Sequence, residues 1–255
     1  AFFSLLPFVW MVSTSLKDLP SVFTIPPRLI PNPIFWSNYT DVIKAMPFVT
    51  FTRNTAFISI TNTLGQVLTC SMAAYAFARM KFPLRDIFFL LYLGTMMIPG
   101  QVTLIPTYVL MSKIGWINTY KPLIIPEILG GVYGTFLIRQ FFLTIPQELE
   151  DAAVVDGASP IWIYRTIMIP LSKPVLATYG VFTFMGNWNS FLWPLLMINS
   201  PSKMTLTVGI SLMAHSRYTT DWPHLMAGTT MSTSQSSSCW RWRSATSCRA
   251  SPSPA

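Results

Sequence analysis

The stretch Thr144-Ile-Pro-Gln-Glu-Leu-Glu-Asp-Ala-Ala-Val-Val-Asp-Gly-Ala-Ser-Pro-Ile-Trp-Ile-Tyr-Arg-Thr-Ile-Met-Ile-Pro-Leu-Ser-Lys-Pro174 holds four of the chain's 9 acidic residues, Glu148, Glu150, Asp151 and Asp156. Long apolar runs with almost no charge lie on either side. Thr144 followed by Gln147 has the form of a capping box, and Pro146 supplies a φ suited to a first helical turn. Glu148, Glu150 and Asp151 then fall at the positive end of a helix dipole. Gly157 stands where a helix ends with positive φ, and Ser159-Pro160 restarts one, Ser at the N-cap and Pro just inside. Ile161, Trp162, Tyr164, Ile167 and Met168 add apolar bulk before Pro170 and Pro174 stop the second helix. The pattern predicts two short helices joined by a tight turn, too polar to cross a bilayer. An ordinary connector between spans needs only a few residues. A long one with its own caps predicts a docking element, a short helix laid into a partner's groove.

Outward from this hairpin, composition points to a bilayer. The 255 residues are 51% hydrophobic and 10% charged, against about 25% charged in soluble domains. The net charge of +8 could serve nucleic acid, but lysines and arginines are scattered singly and form no basic face, so no nucleic-acid partner is expected. Three cysteines say little of redox compartment; Cys70 sits in an apolar run as a small hydrophobe, and Cys239 and Cys248 lie near the C-terminus.

The chain opens on Ala1-Phe2-Phe3 inside an apolar segment, so residues 1–16 are expected to be part of a first transmembrane helix. Residues 17–50 carry six prolines and read as an external Pro-rich loop, with one short interfacial helix over Asn38–Ala45. Asn54 to Ala78 is uncharged and long enough for a hydrocarbon core of about 30 Å, which takes roughly 20 residues. Arg79, Lys81 and Arg85 form a compact basic turn around Pro83, a cytoplasmic signal. Two further runs, Ile87–Ser112 and Pro122–Phe142, are predicted spans. Pro99-Gly100 and Pro106 break the first, and Gly130, Gly131 and Gly134 give the second a small face for close packing. Counting two spans from the basic turn puts the hairpin inside as well. An uncharged run from Pro174 to Ser202 follows, Ser200–Pro223 reads as a second external loop, and a last span should start near His224.

The hairpin also carries a family resemblance. Asp151-Ala-Ala-Val-Val-Asp-Gly-Ala158, followed by Ile169-Pro170, resembles the EAA motif of ABC importer permeases. In that family the motif forms the coupling helix that docks on the ATPase subunit, which assigns Glu150, Asp151, Ala152, Ala153, Asp156, Gly157, Ala158 and Pro170 to ATPase coupling. Asp151 stands where the family usually has Glu, which keeps the charge and shortens the reach; Ile169 precedes the proline where Leu is usual. The resemblance runs to about Met231. Leu137-Ile-Arg-Gln-Phe-Phe142, Asn187-Trp-Asn-Ser-Phe-Leu-Trp-Pro194, Thr205-Leu206, Asp221-Trp222, Met226-Ala-Gly228, Thr14-Ser-Leu-Lys17 and Asn38-Tyr39 are similar to the carbohydrate-uptake branch, the maltose/glycerol-phosphate type.

The resemblance implies an all-α polytopic membrane helix bundle of six spans, with a permease core over 51–231 and the coupling hairpin at 144–170. It also implies a bacterial-type inner (plasma) membrane, crossed several times, and contact with membrane lipid. The partners it brings are a second permease subunit, an ATPase subunit dimer and an external solute-binding protein. The cargo would be a sugar or related carbohydrate, with ATP and Mg on the ATPase subunits and no cofactor in this chain. Asn187, Trp188 and Asn189, polar and aromatic groups deep in a span, are candidate lining of the translocation path.

Other chemistry is poorly served. No Lys follows a Gly, so there is no phosphate-cradling loop and ATP hydrolysis by this chain is not expected. His215 and His224 lack clustered cysteines or carboxylates, so no metal site is expected, and the hairpin acids have no catalytic partner. Two readings compete with the ABC permease: an ion-coupled secondary transporter, and a non-transport membrane scaffold. The first usually needs ionisable groups near mid-membrane, for which Glu127, near the outer end of its span after Pro126, is the one acidic candidate. Residues 232–255 are Ser-rich and low in complexity, which predicts disorder and the loss of the last span. A frameshift near Gln235 in the underlying gene would account for them, since another reading frame can encode an apolar helix.

Overall fold

The computed structural model describes residues 2–214 and 221–247, with side chains over 5–212 and 221–235. All regular structure among the described residues is helical. The fold divides into two compact units, residues 1–57 with 188–255, and residues 58–187.

In the first unit, Phe2–Ser15 is helical and ends in a polar anchor. Asn38 at the start of the short helix Ser37–Ala45 donates from Nδ2 to the carbonyls of Ser15 (2.9 Å) and Lys17 (2.8 Å). Ser15 Oγ and Tyr39 Oη are 2.7 Å apart. Two sequence motifs are thereby one structure, because a single amide satisfies both carbonyls left over at a helix end. Lys17 is buried, donates from Nζ to the Arg28 carbonyl (2.6 Å) and lies 4.4 Å from the centre of the Trp10 ring. Burial pulls its ammonium below the usual lysine range.

Ser200–Pro223, expected as an external loop, instead contains the apolar helix Leu206–Ala214, with Leu206, Val208 and Ile210 buried. Asn54 Nδ2 donates to the carbonyls of Ser202 and Met204, and Thr55 Oγ1 accepts from the Leu206 amide. The Thr55 hydroxyl supplies an acceptor that the helix start lacks, the Asn54 bonds pin the segment leading into it, and loops seldom carry such an apolar run. The C-terminal stretch also departs from expectation: Trp222–Ser247 is a single helix. No proline or glycine stands between Thr229 and Ser247 to break it, and Ser and Thr carry only a modest helix penalty. His215, Cys248 and the side chain of Cys239 lie outside the described residues.

The long helix Phe48–Arg79, 32 residues, starts just after Pro47 and contains no proline. From Ile58 onward it belongs to the other unit, where it carries the polar side chains Asn62, Gln66, Thr69 and Ser71. The run expected as one span over 87–112 is two: Arg85–Met97 and Gly100–Lys113 meet at 94°. Pro99 causes the break, since the residue before a proline avoids the helical region, and Ile98 is extended at ψ 115. Lys121–Leu143 forms a 23-residue segment interrupted only at Gly130-Gly131, and it is long and apolar enough to cross a bilayer. Each of two bent pairs also qualifies when counted as one span: the pair just named, and Pro160–Leu171 with Lys173–Trp188, at 78°.

Pro170 does not stop the second hairpin helix. Tyr164–Met168 widens to π geometry ahead of it, and the helix continues through Ile169–Leu171 to the bend at Ser172. A π turn is a known way to absorb a missing N–H without ending a helix. The run 174–202 is likewise divided, into Lys173–Trp188 and Leu192–Met197.

Candidate functional site

The first hairpin helix is Glu148–Val155. The expected capping box is absent. Thr144 Oγ1 donates instead to the Phe141 carbonyl (2.7 Å) at the end of the preceding helix, which also accepts the Thr144 amide (3.0 Å), so Thr144 closes one helix rather than opening the next. The turn after the helix follows the sequence reading closely. Gly157 has φ +80; its amide donates to the Val154 carbonyl (3.0 Å) and the Ala158 amide to the Ala153 carbonyl (2.9 Å). Those two bonds are the pair that defines a Schellman turn. Nothing lies within 4 Å of where a Gly157 side chain would begin, so the backbone conformation, not crowding, demands glycine. Ser159 then caps the second helix, its Oγ accepting from the Trp162 amide (3.3 Å) with Pro160 at the first helical position.

The eight hairpin residues divide by face. Glu150 and Ala153 point into the fold, Ala158 is half-buried, and Asp151, Ala152, Asp156, Gly157 and Pro170 are exposed. Glu150 is therefore not a partner-facing acid. Its Oε1 lies 2.9 Å from Nε of Arg79, both side chains about one-tenth exposed, in a contact of charge rather than an aligned hydrogen bond. Arg79 also donates from Nη2 to the carbonyls of Phe142 (2.7 Å) and Ile145. So Arg79, read from the sequence as part of a compact basic turn, is largely covered by the hairpin. Burial pushes the Glu150 carboxyl above the usual glutamate range; Arg79 opposes that shift and Asp151 adds to it.

Outside, the hairpin presents apolar surface: Leu149, Val154 (60% exposed), Val155 (87%), Ile161 and Trp162. Isolated exposed residues need no explanation, but five on one short hairpin make a patch of the kind partners cover. Inside, Ala153, Ile163, Tyr164 and Met168 belong to one packed cluster with Cys70, Ala74, Tyr75, Ala78, Ile138, Phe142 and Tyr179. Tyr164 Oη is 2.7 Å from Ser71 Oγ. The hairpin is thus bolted to the long helix at Arg79 and again at Ser71.

The same cluster ends at a groove of about 470 Å³ lined by Gln66, Glu127, Gly130, Gly131, Tyr179 and Thr183, with Met96, Tyr133 and Phe182 around it. Tyr179 Oη donates to Gln66 Oε1 (2.8 Å), and Gln66 Nε2 donates to Glu127 Oε2 (2.9 Å). Gly131 and Gly134 permit the approach, because a Cβ at either would collide with Tyr179, and at Gly131 with Cys70 as well. The small face seen in the sequence serves this contact.

Asn187 lies elsewhere: its Oδ1 accepts from Asn62 Nδ2 (2.6 Å) and its Nδ2 donates to the Thr183 carbonyl (2.9 Å). Trp188 is buried and Asn189 exposed after the helix end. None of the three lines the groove. The sequence reading missed Gln66, Tyr179 and Thr183; the available signal was Gln66, a long polar side chain in an otherwise uncharged run.

The family model described as "Binding-protein-dependent transport system inner membrane component" matches residues 65–233. The sn-glycerol-3-phosphate transport system permease protein UgpE of Yersinia enterocolitica is 36% identical over 227 residues, covering 86% of this chain and 80% of its own length. Its counterpart in Salmonella typhi is 35% identical over the same shares. Among solved structures, a bacterial ABC transporter involved in the import of the acidic polysaccharide alginate matches with a TM-score of 0.79 and 23% identity. That match covers 90% of this chain and 85% of the other, and it bears on the fold.

Proposed function

This chain belongs to the binding-protein-dependent transport system inner membrane components, and on that premise we propose that its hairpin is the lever by which an ATPase dimer drives solute across the membrane. It is a permease component of an ABC importer, not an enzyme. Its assembly contains a further permease, ATPase and binding protein in the general manner of the family. In our reading the partners are one second permease subunit, two ATPase subunits that hold ATP and magnesium, and one external solute-binding protein. The membrane is the bacterial inner membrane, crossed several times, and the cargo is a sugar or related carbohydrate, in line with the named relatives.

One observation carries this reading: the hairpin is anchored inside by Arg79–Glu150 while its outer face, from Asp151 to Trp162, is exposed and partly apolar. A part fixed on one side and unsatisfied on the other suits a docking helix. ATPase closure would press on that face. Arg79, holding Glu150 and two carbonyls of the hairpin entry, would pass the movement to Phe48–Arg79. From Arg79 to Gln66 is about 20 Å of proline-free helix at 1.5 Å per residue, so displacement at the hairpin reaches the groove wall. The packed cluster between them transmits strain because close-packed interiors do not yield smoothly.

The test is uptake by the complete assembly in proteoliposomes. The reading expects uptake that requires ATP inside, is indifferent to ion gradients, and is lost in Gly157→Pro while the assembly still forms. Uptake that follows an ion gradient without the ATPase subunits would replace it with secondary transport, and no solute dependence at all would leave a scaffold.

A further inference from the structure

We propose that the groove built on Gln66, Glu127, Tyr179 and Thr183 is the solute-contacting wall of this subunit, and that it selects uncharged polyhydroxylated solutes over phosphorylated or acidic ones. The inference rests on the transport reading above and adds a site and a charge preference to it.

The groove lies within unit 58–187, and its carboxylate belongs to the bilayer-length segment Lys121–Leu143. A carboxylate on such a segment is costly where it faces lipid, and acids inside spans face a bundle interior or a water-filled cavity. Glu127 is exposed to the groove rather than packed away, while Gln66, Thr183 and Tyr179 form a buried floor. The open side is therefore wet when the protein is in its membrane.

The hydrogen bonds have one direction. The Tyr179 hydroxyl donates to Gln66, which fixes the amide so that its N–H donates to Glu127 Oε2. The amide oxygen thus already accepts one bond, and the chain of donors ends on the carboxylate. Glu127 accepts one bond from Gln66, and a carboxylate has capacity for several more. What it offers to a visitor is acceptor capacity, which hydroxyl groups satisfy and a phosphate or carboxylate cannot.

No lysine or arginine lines the groove among the described residues. Anion sites are built from such cations or from converging backbone amides. Cation sites gather several carboxylates, whereas this one has a single carboxylate already tied to an amide. Tyr133 and Phe182, each at least half exposed beside the polar floor, supply ring faces for the C–H surface of a sugar or polyol. The volume of about 470 Å³ falls in the range of small-molecule sites, about 300–1,000 Å³. The charge preference departs from what the named relatives carry, a phosphate ester, and from the acidic polysaccharide of the structural neighbour.

The test uses the complete assembly carrying Met96→Cys, an exposed position on the groove rim, labelled by an uncharged maleimide, with the unsubstituted assembly as background. The protecting probes are glucose, maltose, trehalose, sorbitol and glycerol, then glucose-6-phosphate and sn-glycerol-3-phosphate, then glucosamine. At least one neutral probe should slow labelling, and neither phosphate should. Adding Glu127→Gln, which keeps the Gln66 bond, should raise the protecting concentration about tenfold; Glu127→Lys should let a phosphate protect. Protection by a phosphate or by glucosamine at or below the concentration of the best neutral probe overturns the inference. Protection by no probe overturns it too. ATP-driven uptake measured on the same vesicles separates this failure from failure of the transport reading, because the coupling hairpin is untouched by these variants.

Discussion

Arg79 Nε lies 2.9 Å from Glu150 Oε1, and the same guanidinium donates to the carbonyls of Phe142 and Ile145. One side chain of the long helix thus holds both the entry and the first turn of the hairpin. The two partners are not equivalent. Arg79 has three attachments, while Glu150 contributes a charge that burial disfavours.

Replacing them should therefore give unequal effects. Arg79→Met strands a buried carboxylate and two carbonyls, a change of the class that costs about 3–5 kcal/mol. Glu150→Gln preserves volume and polarity and leaves Arg79 its two carbonyl partners, so it should cost less, about 1–3 kcal/mol. Thermal unfolding of the purified assembly checks the order; equal losses would mean that Arg79 has no role beyond the ion pair.

The raised Glu150 pKa has a defined sign with pH. A carboxyl that binds its proton more tightly when folded makes the fold more stable in acid. That contribution is complete below the ordinary glutamate value, about 4.3, and is lost as pH rises through the raised value. Removing the titration by Glu150→Gln should flatten this part of the stability profile, so that the variant gains on the unsubstituted protein as pH rises from mildly acid to neutral. Parallel profiles would show that Glu150 titrates as an ordinary surface glutamate.

At Gly157 the left-handed φ of +80 puts a direct cost on any side chain. Gly157→Ala should destabilise the turn by about 1–2 kcal/mol, with amide exchange quickening at Ala158 and little change in the spans. Gly157→Asn, which tolerates this conformation better, should recover part of the loss. An alanine variant with unchanged exchange would contradict the turn geometry.

Gly131 is constrained by space instead. A Cβ there would strike Cys70 Sγ and Tyr179 Oη, so Gly131→Ala should lower stability by about 1–3 kcal/mol, as overpacking does. Adding Cys70→Ala removes one obstacle and should return part of that loss, a coupling readable in a double-mutant cycle. Strictly additive effects would exclude the contact.

On the outer face, Val155→Arg should leave unfolding within about 0.5 kcal/mol, as surface changes do, because Val155 is 87% exposed. Under the lever reading it should nonetheless reduce co-purification of ATPase subunits and ATP-driven uptake. Intact assembly and uptake would move the docking surface elsewhere on the hairpin.

Much of the hairpin was decided by the sequence alone. Gly157 ending one helix, and Ser159-Pro160 starting the next, depend on φ preferences and side-chain-to-backbone bonds that close within a few residues. Such preferences are properties of the local chain, so they survive in any tertiary setting that leaves the turn exposed. The membrane class and the family motif were equally legible, since composition and linear spacing carry both.

Tertiary structure decided the rest. Glu150 turned inward because Arg79, far away in the chain, is packed beneath it, and Gln66 met Glu127 and Tyr179 for the same kind of reason. Whether 206–214 lay in a loop or a core turned on which neighbours could satisfy freed backbone groups and cover apolar faces. Those neighbours are distant in sequence, and a single chain of letters records local preference without recording who meets whom. The hairpin's shape is therefore written in its own residues, and its orientation, with Glu150 inside and Val155 outside, is written in the fold.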